Sequence, residues 1–274
     1  MNLAPAAGML AAMDLGDLLE RLWDDYAAIT PQAGAIHRLL REAGETIVND
    51  HIALRTFAGE RLGLERLAAP FVAAGYTPAG VYSFADKKLD ARHYEPPTPG
   101  LPRLFISELR LGDCSPALRA TVEALIAQLP ADYAPLARLG RPWAVAHAAV
   151  EQLRRESEYA AWLAAHGLRA NHFTVSVDAL VTIPTIEAMV AFLQAHGFAL
   201  NHAGGVIKGS PAVLLEQCST LADAVDVAFS DGTHRVPGCY YEFARRHPGP
   251  DGRLFSGFIE GSADKIFEST DRAR

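Results

Sequence analysis

Apolar and polar residues alternate with a period of two in two short runs, Asn49-Asp50-His51-Ile52-Ala53-Leu54-Arg55-Thr56-Phe57 and, with its histidine 121 residues after the first, Asn171-His172-Phe173-Thr174-Val175-Ser176-Val177-Asp178. Runs of this kind predict strands. Alternate side chains of a strand share a face, so His51, Ala53 and Arg55 point one way while Ile52 and Leu54 point the other. In the second run His172, Thr174 and Ser176 oppose Phe173, Val175 and Val177. Each strand therefore presents a histidine on a face that is not wholly apolar. A metal or a substrate suits such a face better than a plain core does.

Elsewhere the apolar spacing is helical. Leu15, Leu18, Leu19, Leu22, Tyr26 and Ile29 predict a helix from about Leu15 to Ile29, with Asp14 as its cap and Pro31 beyond its end. A second helix runs through Ala35 to Leu40 and closes near Gly44, with His37 on its surface. After the His51 strand an amphipathic helix spans Leu62 to Ala74 and stops at Gly75. After the His172 strand a helix spans about Pro184 to His196, with Pro184 in its first turn and Gly197 at its end. His51 to Gly75 is 24 residues and His172 to Gly197 is 25. Each unit then leads to a strand carrying a glutamate, Glu108 or Glu242, at 33 and 45 residues from its glycine.

The matched intervals describe an internal repeat: strand with leading histidine, helix, glycine, further strands. A lone βαβββ unit has an open edge and an uncovered face, so two of them are expected to join as one partly closed barrel. The expected fold class is α+β, two βαβββ modules with N-terminal and inserted helices packed outside. The chain reads as a single catalytic domain: a helical part over 1–48, a first module over 49–110, a helical insert over 111–170, a second module over 171–246 and a tail over 247–274. The insert holds one helix from Pro116 to Leu129 and another from Ala146 to His166, in which Trp143, Tyr159 and Trp162 are packing aromatics.

Composition narrows the function classes. A net charge of −7 without a basic cluster argues against nucleic acid as a partner. Three cysteines match neither a disulfide framework nor a paired metal site, and read as reduced thiols of a cytoplasmic protein. The apolar start over residues 1–13 lacks a basic flank and reads as a loose arm. No run approaches the roughly 20 apolar residues of a membrane span.

The repeat gathers His51, Glu108, His172 and Glu242 toward one place. Two imidazoles and one carboxylate on one side of a metal form the facial triad of non-haem iron enzymes, although Mn, Ni, Co or Zn accept the same donors. With Glu108 as fourth ligand, the site would instead suit Lewis-acid isomerisation. Glu108 is equally readable as an ion-pair partner of Arg103 or Arg110. Arg55 lies on the face of His51, about 13 Å along the strand at about 3.3 Å per residue. It could fork onto a substrate carboxylate, or pair with Asp50 or Asp86. Gln217, Ser219 and Tyr241 are further candidates for the cavity. His202 reads as a surface turn residue, and Lys87, Lys88, Arg92 and His93 read as a solvated loop able to draw in anions.

Several blocks resemble one family. They are Asn49–Phe57, Lys87-Lys88-Leu89-Asp90-Ala91-Arg92-His93-Tyr94-Glu95, Phe105-Ile106-Ser107-Glu108-Leu109, Gly204-Gly205-Val206-Ile207-Lys208-Gly209-Ser210, Gln217-Cys218-Ser219-Thr220-Leu221-Ala222-Asp223 and Pro237-Gly238-Cys239-Tyr240-Tyr241-Glu242-Phe243-Ala244-Arg245-Arg246. Together they resemble the 2-oxoadipate dioxygenase/decarboxylase family. The resemblance implies a vicinal-oxygen-chelate fold and an Fe(II) triad of His51, His172 and Glu242. It gives Arg55 to the substrate and leaves Glu108 to shape or hydrogen-bond the site. It further implies conversion of a 2-oxo dicarboxylic acid, 2-oxoadipate, with O₂ to 2-hydroxyglutarate and CO₂. This chain is shorter than the family's characterised type and lacks room for its extra C-terminal part. Two other readings remain at this point: a glyoxalase-like lyase or isomerase, and a small-ligand binding module.

Overall fold

The computed structural model describes residues 14–270, so the arm expected over 1–13 lies outside them. Ten strands follow in chain order: β1 (Asn49–Phe57), β2 (Thr77–Phe84), β3 (Leu89–Glu95), β4 (Arg103–Leu109), β5 (Ala170–Ser176), β6 (Lys208–Ser210), β7 (Leu215–Ser219), β8 (Ala224–Phe229), β9 (Gly232–Pro237) and β10 (Glu242–Arg246). Eight of them form one sheet in the order β2-β3-β4-β1-β5-β10-β7-β6, which curls into a half-barrel. The order reads symmetrically outward from the β1–β5 pair. β1 runs antiparallel to β5, and each runs parallel to the last strand of its own module, β4 or β10. The expected repeat is thus the architecture. The excess length of the second module is the β8–β9 hairpin, a separate two-stranded sheet.

Eight helices complete the described chain: α1 (Leu15–Ala28), α2 (Pro31–Glu42), α3 (Leu64–Ala73), α4 (Pro116–Ile126), α5 (His147–Arg154), α6 (Glu158–His166), α7 (Ile186–Ala195) and α8 (Glu260–Phe267). Asp14 caps α1 by accepting from the Gly16 amide, as its position predicts. Gly75 and Gly197 follow α3 and α7 with φ of +98° and +79°, which only glycine adopts without strain. α1 lies on the convex face, where Trp23 and Tyr26 meet Phe173 and Tyr241. α3 packs on β1 and β4, and α7 on β7 and β10.

Four local expectations change. The helix expected over Ala146–His166 is two helices, because the Ser157 hydroxyl accepts from the Ala160 amide and starts a new one. α7 starts at Ile186 behind a Thr185 cap, so Pro184 stands outside the first turn. His37 is half-buried against Trp23, at 4.6 Å between ring centroids, and burial pulls its pKa down to about 4. Arg92 and His93 belong to β3; His93 is buried and shares a 2.7 Å hydrogen bond with the Tyr82 hydroxyl.

The segment read as a tail is structural. Its helix α8 crosses the concave side of the half-barrel and touches both edge strands, β2 and β6. Ser269 ties it down by bonding the Ser219 hydroxyl at 2.8 Å and the Asn201 amide at 2.8 Å. Phe258, Ile266 and Phe267 are buried beneath it. Their burial removes apolar surface from water at about 25 cal/mol per Å², which is what holds the cover in place.

His166, at the end of α6, is fully enclosed, and its Nε2–H donates to the Pro237 carbonyl at 2.7 Å. Burial drives its pKa down to about 3. The unfolded chain therefore takes up a proton near pH 6.5 that the folded chain refuses until about pH 3. Stability should fall as pH drops through that window, by a few kcal/mol at most. His166→Gln should flatten this part of the curve of unfolding midpoint against pH; an unchanged slope would locate the acid sensitivity elsewhere.

Candidate metal and substrate site

The site grows out of the β1–β5 contact. Its register slips twice, between Asn49 and His51 and between Ala53 and Leu54, where the partner residues skip Asn171. Each slip is a β-bulge that inserts one unpaired residue, Asp50 on β1 and Asn171 on β5. A bulge turns the extra side chain onto the face of its neighbour. Asp50 Oδ1 is accordingly 2.8 Å from His51 Nδ1, and Asn171 Oδ1 is 3.0 Å from His172 Nδ1. Strict alternation would have pointed these pairs to opposite faces. Each acceptor holds a proton on Nδ1 and frees the Nε2 lone pair of its histidine.

Glu242, the first residue of β10, pairs in register with Thr174 of β5. Its carboxylate reaches both rings: Oε2 is 3.0 Å from His172 Nε2, and Oε1 is 3.8 Å from His51 Nε2. The three donor atoms lie within 4.8 Å of one another, and all three residues are buried. The His172–Glu242 contact is close yet lacks hydrogen-bond alignment, so Glu242 Oε2 has no hydrogen-bond partner. Both atoms aim at a shared point. A divalent cation at that point would satisfy all three donors, so the residues fit a metal.

The electrostatics agree. Burial pushes the Glu242 carboxyl up, but His172, His51 and the Gln217 amide at 2.6 Å outweigh it, and its pKa is lowered. Burial lowers the His172 pKa against the pull of Glu242. A neutral imidazole and an ionised carboxylate are the ligating forms. Around them, Thr174 Oγ1 lies 3.1 Å from His51 Nε2, and the Tyr240 ring stacks on His172 at 4.6 Å. The Phe258 ring meets His51 edge-on at 4.8 Å. The space beside the triad is only about 20 Å³, roofed by Phe258, Ile266 and Phe267.

Arg55 is 99% buried, and none of its three guanidinium nitrogens has a hydrogen-bond partner within the protein. The guanidinium rests among the Tyr159, Trp162 and Phe267 rings at 4.9, 5.2 and 5.5 Å. The insert aromatics thus pack as expected and also form the platform for this cation. The nearest acid is Glu158, at 3.7 Å. Neither Asp50 nor Asp86 pairs with it. Arg55 opens on a cavity of about 340 Å³ whose rim includes Lys87, Lys88, Arg154 and Glu158. Phe267 borders both this cavity and the space at the triad.

Other candidates sort by strand phase. Gln217 and Ser219 face the concave side, the second through Ser269. Tyr241 faces α1, and His202 is exposed. Glu108 is on the wrong face. It pairs with Thr56, and its Oε2 accepts from the Leu64 amide at 2.8 Å, capping α3. The counterpart of Glu242 in the first module is Phe105, which pairs with Ala53 as Glu242 pairs with Thr174. Glu108→Ala should therefore lower stability by about 1 kcal/mol, the worth of a helix cap, and leave metal affinity unchanged. Glu242→Ala should abolish metal binding, read by equilibrium dialysis. Equal metal loss in both variants would return Glu108 to the site.

Comparison with known proteins follows the same lines. Residues 12–131 and 131–255 match the family described as 2-oxoadipate dioxygenase/decarboxylase. The rice protein named 2-oxoadipate dioxygenase/decarboxylase, chloroplastic/amyloplastic, is 36% identical over 89% of this chain and 75% of its own length. The crystal structure of rice hydroxyglutarate synthase in complex with 2-oxoadipate superposes with a TM-score of 0.87 at 34% identity, covering 98% of this chain and 94% of that one. A Shewanella frigidimarina protein provisionally called a hydrolase gives 0.85 at 47% identity, over 90% and 98% of the two chains. A Ralstonia eutropha protein of the glyoxalase superfamily shares the fold at 0.71 and 24% identity, over 91% and 85%. The chain covers 65% of the hydroxyglutarate synthase chain from Pseudomonas putida, at 21% identity and a TM-score of 0.57, against 94% of the rice one. The chain belongs to the 2-oxoadipate dioxygenase/decarboxylase family.

Proposed function

We propose that the protein is an Fe(II)- and O₂-dependent dioxygenase/decarboxylase that converts 2-oxoadipate to 2-hydroxyglutarate and CO₂. The observation that carries this reading is the convergence of one ligand atom each from His51, His172 and Glu242 within 4.8 Å, in a chain of this family. One 2-oxoadipate and one O₂ give one 2-hydroxyglutarate and one CO₂, so both oxygen atoms end in products and no further reductant is consumed. Fe(II) held by the triad would supply the chelation of a 2-oxo acid and the activation of O₂. The fourth protein ligand that an isomerase reading calls for is absent from the described site, since Glu108 caps α3. No described helix is long and apolar enough to cross a membrane, and the three cysteines are buried free thiols, which supports a reducing, cytoplasmic setting.

The chain's own residues do the rest. Arg55 binds the distal carboxylate through its unpartnered nitrogens, stacked so that its fork holds one orientation. The Tyr159, Trp162 and Phe267 rings exclude water around it, which strengthens the pairing. Lys87 and Lys88 stand at the rim, each already ion-paired, with Asp264 and with Glu156. A space of about 20 Å³ holds about one water, so a substrate spanning from the triad to Arg55 displaces the Phe267 ring.

The test is O₂ uptake by protein loaded anaerobically with Fe(II), offered 2-oxoadipate and then other 2-oxo acids. Uptake with stoichiometric CO₂, lost in His172→Ala, is expected. Absence of uptake from metal-loaded protein with every 2-oxo acid would sink the oxygenase reading. Arg55→Lys should raise KM for dicarboxylic 2-oxo acids at least tenfold, because a point charge cannot fork onto the carboxylate. An unchanged KM would remove Arg55 from the substrate.

A further inference from the structure

The two histidines of the triad are held by unequal partners. Asn171, a neutral amide, is sufficient for His172. His51 is held by a carboxylate, Asp50, whose charge is buried and must be paired. Its hydrogen-bonded partner is Arg246 at the end of β10, itself 97% buried, with Arg103 as a second cation at 3.8 Å that makes no hydrogen bond to Asp50. Arg246 Nε and Nη2 donate to Asp50 Oδ2 and Oδ1 at 2.7 and 2.9 Å, a two-pronged pairing. Its remaining arm, Nη1, donates to the carbonyls of Phe255 and Gly257, both at 2.8 Å. Those two residues lead directly into Phe258, whose ring lies 5.1 Å under the guanidinium and 4.8 Å from His51. One planar group thus holds a metal-ligand histidine on one side and the roof of the site on the other.

We propose that Arg246 is a positioning residue that couples the roof segment 255–258 to the metal-binding strength and orientation of His51, acting through Asp50. The proposal rests on the metal reading of the triad. Orienting His51 alone would need no more than an amide, as His172 demonstrates. The carboxylate adds basicity to the imidazole, and the arginine that balances it is the group that fixes the roof. Closure of segment 255–258 and a correctly set His51 are therefore one event. The coupling requires the guanidinium fork: a lysine could keep the charge but could not hold Asp50 with two bonds and both carbonyls at once.

The probe is Co(II), whose visible ligand-field bands report the ligand set without any turnover. Apo wild-type protein is titrated with Co(II) beside Arg246→Lys, Asp50→Asn and the double variant, each checked by thermal melting. Amide exchange of residues 255–258 is followed in the same samples. Arg246→Lys is expected to weaken Co(II) binding 10- to 100-fold, shift the bands and speed exchange in 255–258. Asp50→Asn is expected to weaken Co(II) binding to a similar degree, and the double variant to lose little more than either single one, because the two residues act in series. Folded Arg246→Lys with wild-type Co(II) affinity and bands would overturn the proposal, even with a lowered melting temperature, since that is a purely structural ion pair. If Arg246→Lys does not fold, wild-type Co(II) affinity in Asp50→Asn overturns it equally. Failure of wild-type protein to bind Co(II) at all would overturn the metal reading and this proposal together, an outcome distinct from unaltered variants.

Discussion

The contact between β1 and β5 is the constraint on which the molecule depends. It is the only antiparallel seam between the two modules of the described sheet, and it joins them edge to edge so that one concave face is shared. Neither module builds a site by itself, because the donors come from β1, β5 and β10. The same seam carries both bulges. A bulge forfeits ladder hydrogen bonds, and here each one turns an acceptor toward the Nδ1 of a ligand histidine. The irregularity that weakens the sheet locally is what orients the site.

Duplication explains the shape of the site and its asymmetry explains the chemistry. The related positions in the two modules are His51 and His172, then Phe105 and Glu242. A glutamate at both of the latter would place four protein donors around one point. Phe105 instead contributes an apolar wall beside His51 and Phe258. Three possible metal ligands then remain on one side, the arrangement on which the proposed function rests. The symmetry of the two modules is broken at this single strand position.

Much of this was legible in the chain. The alternation in β1 and β5, the helices closed by Gly75 and Gly197, and the length of the second module gave the repeat, because a period of two and a left-handed glycine are local properties. His51 and Arg55 on one face of β1, and the histidine of β5, were legible for the same reason, while the choice of Glu242 over Glu108 came from the family resemblance. Matching Glu108 to Glu242 went astray because strand ends float by a few residues in sequence, and a shift of three residues reverses the face. Asp50 and Asn171 were hidden by the bulges, since adjacent residues on a regular strand point apart. Arg246 and the roof were hidden by distance: nothing local in residues 247–270 says that Phe258 and Phe267 bury themselves over strands far back in the chain.

Arg55 and Phe267 complete the logic of the cavity. A buried guanidinium without hydrogen bonds is costly, and Glu158 at 3.7 Å and the negative π clouds of the aromatic faces recover part of that cost. In the proposed function a substrate carboxylate would recover more, as a charge-assisted pair in a dry site. Phe267 lies 5.5 Å from Arg55 and also borders the triad, so in the proposed function the ring that stabilises the cation is the ring a bridging substrate would move. α8 is anchored on either side of that ring, through Lys87 with Asp264 at one point and Ser269 with Ser219 and Asn201 at another. Under the proposed function, exchange of an aromatic partner for a substrate carboxylate at Arg55 would set the free energy available to shift Phe267, and a substrate lacking the distal carboxylate would have no such driving force.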